Sequence, residues 1–178
     1  MRSVYRRGLL LVGALLPAAL AVGCDHSGPT PPAAKPSAAL TVTSPAFTEG
    51  ATIPADYTCA GAGNRPALAW SGPAAPAYAI VVLDPDAPSG NYYHWIVVDL
   101  PAGTTGVDAT IPPGARELKN TAGDPKWTPP CPPSGTHHYR FTVYALSEPT
   151  KATSVDDAFA AIERTTVAAG TLTGLVSH

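Results

Sequence analysis

Residues 77–100 read AYAIVVLDPDAPSGNYYHWIVVDL: two apolar runs, 77–83 and 94–100, separated by two aspartates, two prolines and a glycine. Short runs rich in valine and isoleucine, bounded by proline, glycine and aspartate, predict β-strands. AYAIVVL has no polar face, so it is expected to lie centrally in a sheet. Working outward, LTVTS (40–44), ALAW (67–70) and YRFTVYAL (139–146) have the same character. In YRFTVYAL a period of two puts Tyr139, Phe141, Val143 and Ala145 on one face and Arg140, Thr142 and Tyr144 on the other. That pattern suits a sheet with one face in a core. SVDDAFAAIERTTV, from Ser154, alone predicts a helix: Ser154 is a candidate N-cap, Asp156 and Asp157 suit the first turn, and Gly170 stands beyond the end. Strands in succession with one late helix predict an antiparallel β-sandwich.

Composition agrees with one turn-rich domain: 178 residues, 21 prolines, 16 glycines and 13% charged residues. Arg2, Arg6 and Arg7 precede the uncharged run GLLLVGALLPAALAVG, so residues 1–24 are expected to be a secretory signal peptide. Sec export is the expectation, with Arg6–Arg7 an incomplete twin-arginine motif. The signal ends in LAVGC, similar to the lipobox of bacterial lipoproteins, which implies lipidation at Cys24 and a membrane partner reached through that anchor. The expected location is the bacterial cell envelope, on the extracytoplasmic side. Residues 25–39, DHSGPTPPAAKPSAA, hold four prolines and no large apolar side chain, and predict a tether keeping the domain, residues 40–178, clear of the head groups. Without the three signal arginines, 8 basic residues face 13 acidic ones, a formal charge of −5, with no lysine or arginine cluster. A nucleic-acid partner is therefore not expected.

The sequence has no HExxH, GxSxG, glycine-rich phosphate loop or CxxC, so the commonest enzyme signatures are missing. Two polar clusters stand at strand ends: Asp84, Asp86 and His94, then PPCPPSGTHHY (129–139) with His137 and Tyr139. Loops gather at the ends of a sandwich, so these clusters can converge on one pocket mouth. A carboxylate on one nitrogen of a histidine fixes its tautomer and favours its charged form, and Asp84 is expected to do this for His94. His137 and the Tyr139 hydroxyl then add donors to an anion, with Tyr93, Trp95 and the prolines excluding water. Affinity for the anion should fall as pH rises past roughly 6.5. The plainer alternatives are turn-capping aspartates, a core histidine at position 94 and a solvated His138. Asp84, His94 and His137 also make a two-histidine, one-carboxylate set, but without ligand-like spacing, so no metal and no cofactor are expected. Ser134 and His137 lack the surroundings of a hydrolase site.

DPDAP followed by HW and an apolar strand, then CPPxGxHxY followed by FTVYAL, resembles the phosphatidylethanolamine-binding protein family, in its bacterial Raf-kinase-inhibitor-like branch. IPADYTCAG and ALAWSG extend the resemblance over roughly residues 40 to 178. It implies a Greek-key β-sandwich of two sheets with a C-terminal helix beside a small anion-binding pocket. The implied pocket residues are Asp84, Pro88, His94, His137 and Tyr139. The implied ligands are small anions or phospholipid head groups, without turnover. The alternative is a protein-interaction or inhibitor module acting on an enzyme such as a kinase or protease. This chain departs from the branch at His138, where arginine is usual, and in WTPPCPP, where tyrosine and glycine are usual at the first and third positions. Cys59 and Cys131, an even pair in an exported domain, flank loops that can meet, which predicts a disulfide.

Overall fold

The computed structural model describes residues 29–178. In chain order its elements are β1 (Ala38–Ala39), β2 (Thr41–Thr43), a 3-10 turn (Ala55–Tyr57), β3 (Leu68–Ser71), β4 (Ala77–Asp84), β5 (Tyr92–Pro101), β6 (Gly106–Val107), β7 (Arg116–Glu117), β8 (Thr136–Leu146), α1 (Val155–Thr165) and β9 (Thr166–Ser177). They build a six-stranded sheet, β1-β9-β8-β4-β5-β7, and a three-stranded sheet, β2-β3-β6. The signal peptide and the lipobox cysteine expected at residues 1–24 lie outside the described residues. Among the described residues no helix is long and apolar enough to cross a membrane.

AYAIVVL forms most of β4, and every residue of that strand is buried. Its lack of a polar face has a two-sided cause. Tyr78, Ile80 and Val82 pack inward with Leu40, Val42, Leu68 and Trp70 from the region of the small sheet. Ala77, Ala79, Val81 and Leu83 face outward, under Ala158, Phe159 and Ile162 of α1. The period of two in YRFTVYAL holds: Tyr139, Phe141 and Val143 face the inner core, while Tyr144 joins the outer cluster. Ser154 caps α1, its hydroxyl accepting from Asp157 N at 3.1 Å. Burial of Phe159 and of Ile162 stabilises by about 1.5–3 kcal/mol each.

One expectation needs correction. The sheets are not antiparallel throughout: β1 pairs with β9 in parallel, and Thr52 makes an isolated parallel bridge to Leu175. These partners lie at opposite ends of the chain, so no short hairpin dictates their relative direction. The single helix is C-terminal, as expected, and a further strand, β9, follows it and pairs along β8 from Thr136–Ser177 to Leu146–Thr166. Gly170, read as standing beyond a helix end, is a strand residue. A methyl group there would come within 2.1 Å of Leu40 O, and one at Gly174 within 2.5 Å of Ile53 Cγ1. These glycines let two passing segments close on the open edge of β9. Leu40 N donates to Ala169 O at 2.9 Å, Gly50 N to Thr173 O at 2.8 Å and Ile53 N to Leu175 O at 2.8 Å.

From Pro29 onward the stretch read as a tether lies against the domain. Ser37 N donates to Val167 O at 3.1 Å, and Pro31, Pro32, Ala34 and Pro36 run over Val81, Leu83 and Tyr144 on the outer face of the large sheet. The Tyr93 hydroxyl then donates to Pro29 O at 2.5 Å. Proline-rich chain has little conformational entropy to lose, so a few backbone bonds and ring contacts suffice to hold it.

Candidate functional site

Asp84 closes β4, Tyr92 and His94 open β5, and His137 and Tyr139 open β8, so one end of the large sheet carries all five. Alternation places Asp84, His137 and Tyr139 on the inner face. His94 gets there by a different device. Val82 pairs with Trp95 and Leu83 with Tyr93, leaving His94 as an extra, unpaired residue in a β-bulge. A bulge re-aims a side chain by moving the backbone itself. His94 and Trp95 therefore share the inner face, with Trp95 in the core and His94 at the rim.

These side chains floor a cavity of about 270 Å³. Its walls are two loops: Ala87, Pro88 and Ser89 on one side, and Thr128, Pro129 and Pro132 on the other. All five residues expected at the pocket, Asp84, Pro88, His94, His137 and Tyr139, line it. Tyr92 lines it as well, whereas Tyr93 and Trp95, expected to exclude water there, do not: Tyr93 lies in the outer cluster and Trp95 in the inner core. The second wall is tied down by a Cys59–Cys131 disulfide, the pairing expected, and by Cys59 N donating to Pro130 O at 2.9 Å.

The acid and imidazoles pair differently from the sequence expectation. Asp84 orients His137, not His94: His137 Nδ1 lies 2.7 Å from Asp84 Oδ2, with both residues buried. The other Asp84 oxygen accepts from Asp86 N at 2.8 Å. His94 Nδ1 lies 2.8 Å from Thr128 O, and Thr128 N donates back to His94 O at 3.0 Å. A carbonyl oxygen only accepts, so His94 carries its proton on Nδ1. Burial pushes the His94 pKa below its ordinary value, outweighing the opposing pull of the Thr128 bond and the Asp84 charge. His94 is thus neutral near pH 7 and presents a lone pair at Nε2, which corrects the expectation of a charged His94.

Two polar atoms at this floor are buried and unpaired: His94 Nε2 and the Tyr139 hydroxyl. Their rings stand 5.1 Å apart, edge to face. Burial, and then the nearby Asp84 charge, push the Tyr139 pKa far above 10, so the hydroxyl keeps its proton and can donate. An unsatisfied buried polar group costs about 1–3 kcal/mol, a cost that a bound polar group or water would remove.

Sequence reasoning missed Asn120. Its buried amide donates to Lys126 O and Thr128 Oγ1, each at 2.8 Å, which fixes the loop that supplies the His94 partner. An isolated asparagine in LKNTAGD reads only as a turn residue, so no local signal marks it. His138 is exposed, and its Nδ1 lies 2.8 Å from Asp86 Oδ2, which also accepts from His138 N. That pair fastens the 84–90 loop to β8. Among the described residues no three His, Cys, Asp or Glu side chains are grouped to hold a metal ion. Ser134 does not line the cavity.

A family model described as phosphatidylethanolamine-binding protein matches residues 43–177. A UPF0098 protein of Mycobacterium tuberculosis is 43% identical over 162 residues, 81% of this chain and 80% of its own. Another protein of that organism, provisionally named lipoprotein LppC, is 46% identical over 135 residues, 71% of this chain and 66% of its own. Among solved structures, a phosphatidylethanolamine-binding protein homolog of Chlamydia trachomatis superposes with a TM-score of 0.72 at 33% identity, over 80% of this chain and 99% of its own. YbcL of Escherichia coli, described as a new member of the mammalian family, gives 0.72 at 29% identity, over 79% and 99%.

Proposed function

We propose, given that this chain belongs to the phosphatidylethanolamine-binding protein family, that it is a lipid-anchored extracytoplasmic binding protein whose cavity takes up a small oxyanion, free or as a phospholipid head group. The observation that carries this reading is the pair of buried, unpartnered atoms, His94 Nε2 and the Tyr139 hydroxyl, on two residues that line one cavity. Pockets for drug-sized molecules run from about 300 to 1,000 Å³. A cavity of about 270 Å³ therefore suits a phosphate ester or carboxylate and leaves acyl chains outside. With its proton on Nδ1, neutral His94 has only a lone pair at Nε2, which repels an anion, so anion uptake brings a proton to Nε2. Tyr139 supplies a donor without titrating.

The large sheet facing a small one is read as the Greek-key sandwich of the family, whose loops collect at the cavity end. Binding rather than turnover is favoured because, among the described residues, no serine, threonine or cysteine side chain hydrogen-bonds either imidazole. The lipoprotein name of one relative supports envelope attachment. Calorimetric titration with phosphate, phosphoethanolamine and acetate tests the reading. Binding to the native protein, lost in both His137→Ala and Tyr139→Phe, is the expected result. If no oxyanion binds while a protein partner is still captured by His137→Ala, the chain is an interaction module instead.

A further inference from the structure

The docked segment Pro29–Ala39 changes what the N-terminal tether can do. Left free, the sixteen residues from Cys24 to Ala39 would reach about 55 Å, at roughly 3.3–3.6 Å per residue. Between Cys24 and Pro29, where the docked segment begins, five residue steps reach at most about 17 Å. A domain of this size is roughly 35–40 Å across. That reach is shorter than the domain, so the position of Pro29 decides which end can meet a membrane.

Pro29 lies at the cavity end. Pro29 O accepts from the hydroxyl of Tyr93, the second residue of β5, whose neighbours Tyr92 and His94 line the cavity from the opposite face of that strand. The loop after β7 joins the two places. Exposed Lys119 and buried Asn120 share a hollow with Pro29 and Tyr93, and Asn120 holds Thr128 of the cavity wall. The turn after β5, around Ala102, is at the far end of the same strand.

We infer that the cavity end of the domain is its membrane-facing surface, apposed to the head groups of the bilayer in which Cys24 is anchored. The inference rests on the lipid-anchored reading above. It names the source of the bound group as a head group of that same bilayer, because the leash keeps the opposite end of the domain away from the lipid.

The test uses the acylated full chain in vesicles of phosphatidylethanolamine and phosphatidylglycerol that carry a head-group quencher. A fluorophore is placed at Ser89→Cys, beside the cavity, or at Ala102→Cys, at the far end. Quenching at position 89 at least threefold stronger than at position 102 is expected. Ten Gly/Ser residues inserted after His26, adding about 35 Å of reach, should reduce that ratio toward one. Equal quenching at both positions, or stronger quenching at 102, overturns the orientation. Flotation with the vesicles is measured on the same samples. A chain that stays in solution refutes anchoring itself, and the orientation falls with it for that separate and recognisable reason.

Discussion

Oxyanion binding should take up at least one proton. His94 Nδ1 is committed to Thr128 O at 2.8 Å, so only Nε2 can face a ligand, and in the neutral ring it repels an anion. Burial holds His94 below the ordinary 6.5, so the empty protein near pH 7 must be charged there upon binding. The groups around it are Asp84, His137, Tyr92 and Tyr139, and of these Tyr139 stays protonated throughout. For one proton taken up, affinity falls tenfold per pH unit between the free and bound pKa values, or about 1.4 kcal/mol. Sulfate is the ligand of choice because it does not itself titrate in this range. Calorimetry at pH 6.5 and 7.5, in buffers of differing ionisation enthalpy, reads both the affinity and the protons absorbed. His94→Asn, whose amide can still donate to Thr128 O but lacks Nε2, should bind weakly with a flat profile. Native protein that binds sulfate equally at both pH values, with no proton absorbed, would falsify the assignment.

Other expectations follow from single features. Reducing the Cys59–Cys131 bond, which spans 72 residues, should cost about 4 kcal/mol in the chain-entropy account; an unchanged denaturation midpoint would contradict it. Gly170→Ala drives a methyl into Leu40 O and should destabilise by about 1–3 kcal/mol, seen as a lower urea midpoint at constant slope. Because folding lowers the His94 pKa, the unfolded chain binds a proton first, so stability should decline as pH drops below the ordinary histidine value of about 6.5. Asp86 and Asp99, also lowered, lose their contribution only further down, below the ordinary carboxylate range, and urea titrations at pH 7.5 and 5.5 isolate the histidine. His138→Ala should change stability by less than about 1 kcal/mol, the pair being exposed, yet quicken amide exchange at Ser89 and Gly90.

The parts legible in the sequence were those with a local cause. AYAIVVL announced a strand covered on both faces, and YRFTVYAL announced its two faces through alternation. Two cysteines in a chain read as exported announced their bond. What stayed hidden depends on distant neighbours. TVAAGTLTGLVS reads as neither strand nor core because its small residues suit the close passage of Leu40 and Ile53, which nothing nearby in the chain reveals. The site residues were identifiable by type and position, but the partner of each was not. Asp84 belongs to His137 because β4 and β8 are neighbours, while the bulge at His94 turns that ring toward Thr128. A bulge is a matter of register between strands and leaves no mark within either one. The docked tether was missed because composition measures whether a segment can fold by itself, not whether it can lie on a surface formed elsewhere.

The closed edge of β9 has a bearing on how this protein can meet others. With residues 37–40 and 50–53 occupying its outer hydrogen-bonding groups, no long row of amides is left for a visiting strand, so recognition by β-augmentation is foreclosed on that side. A recombinant form begun at residue 41 would lose the first of these covers. Half of a twelve-residue edge would then be open to a second copy, inviting dimers or fibrils along that strand.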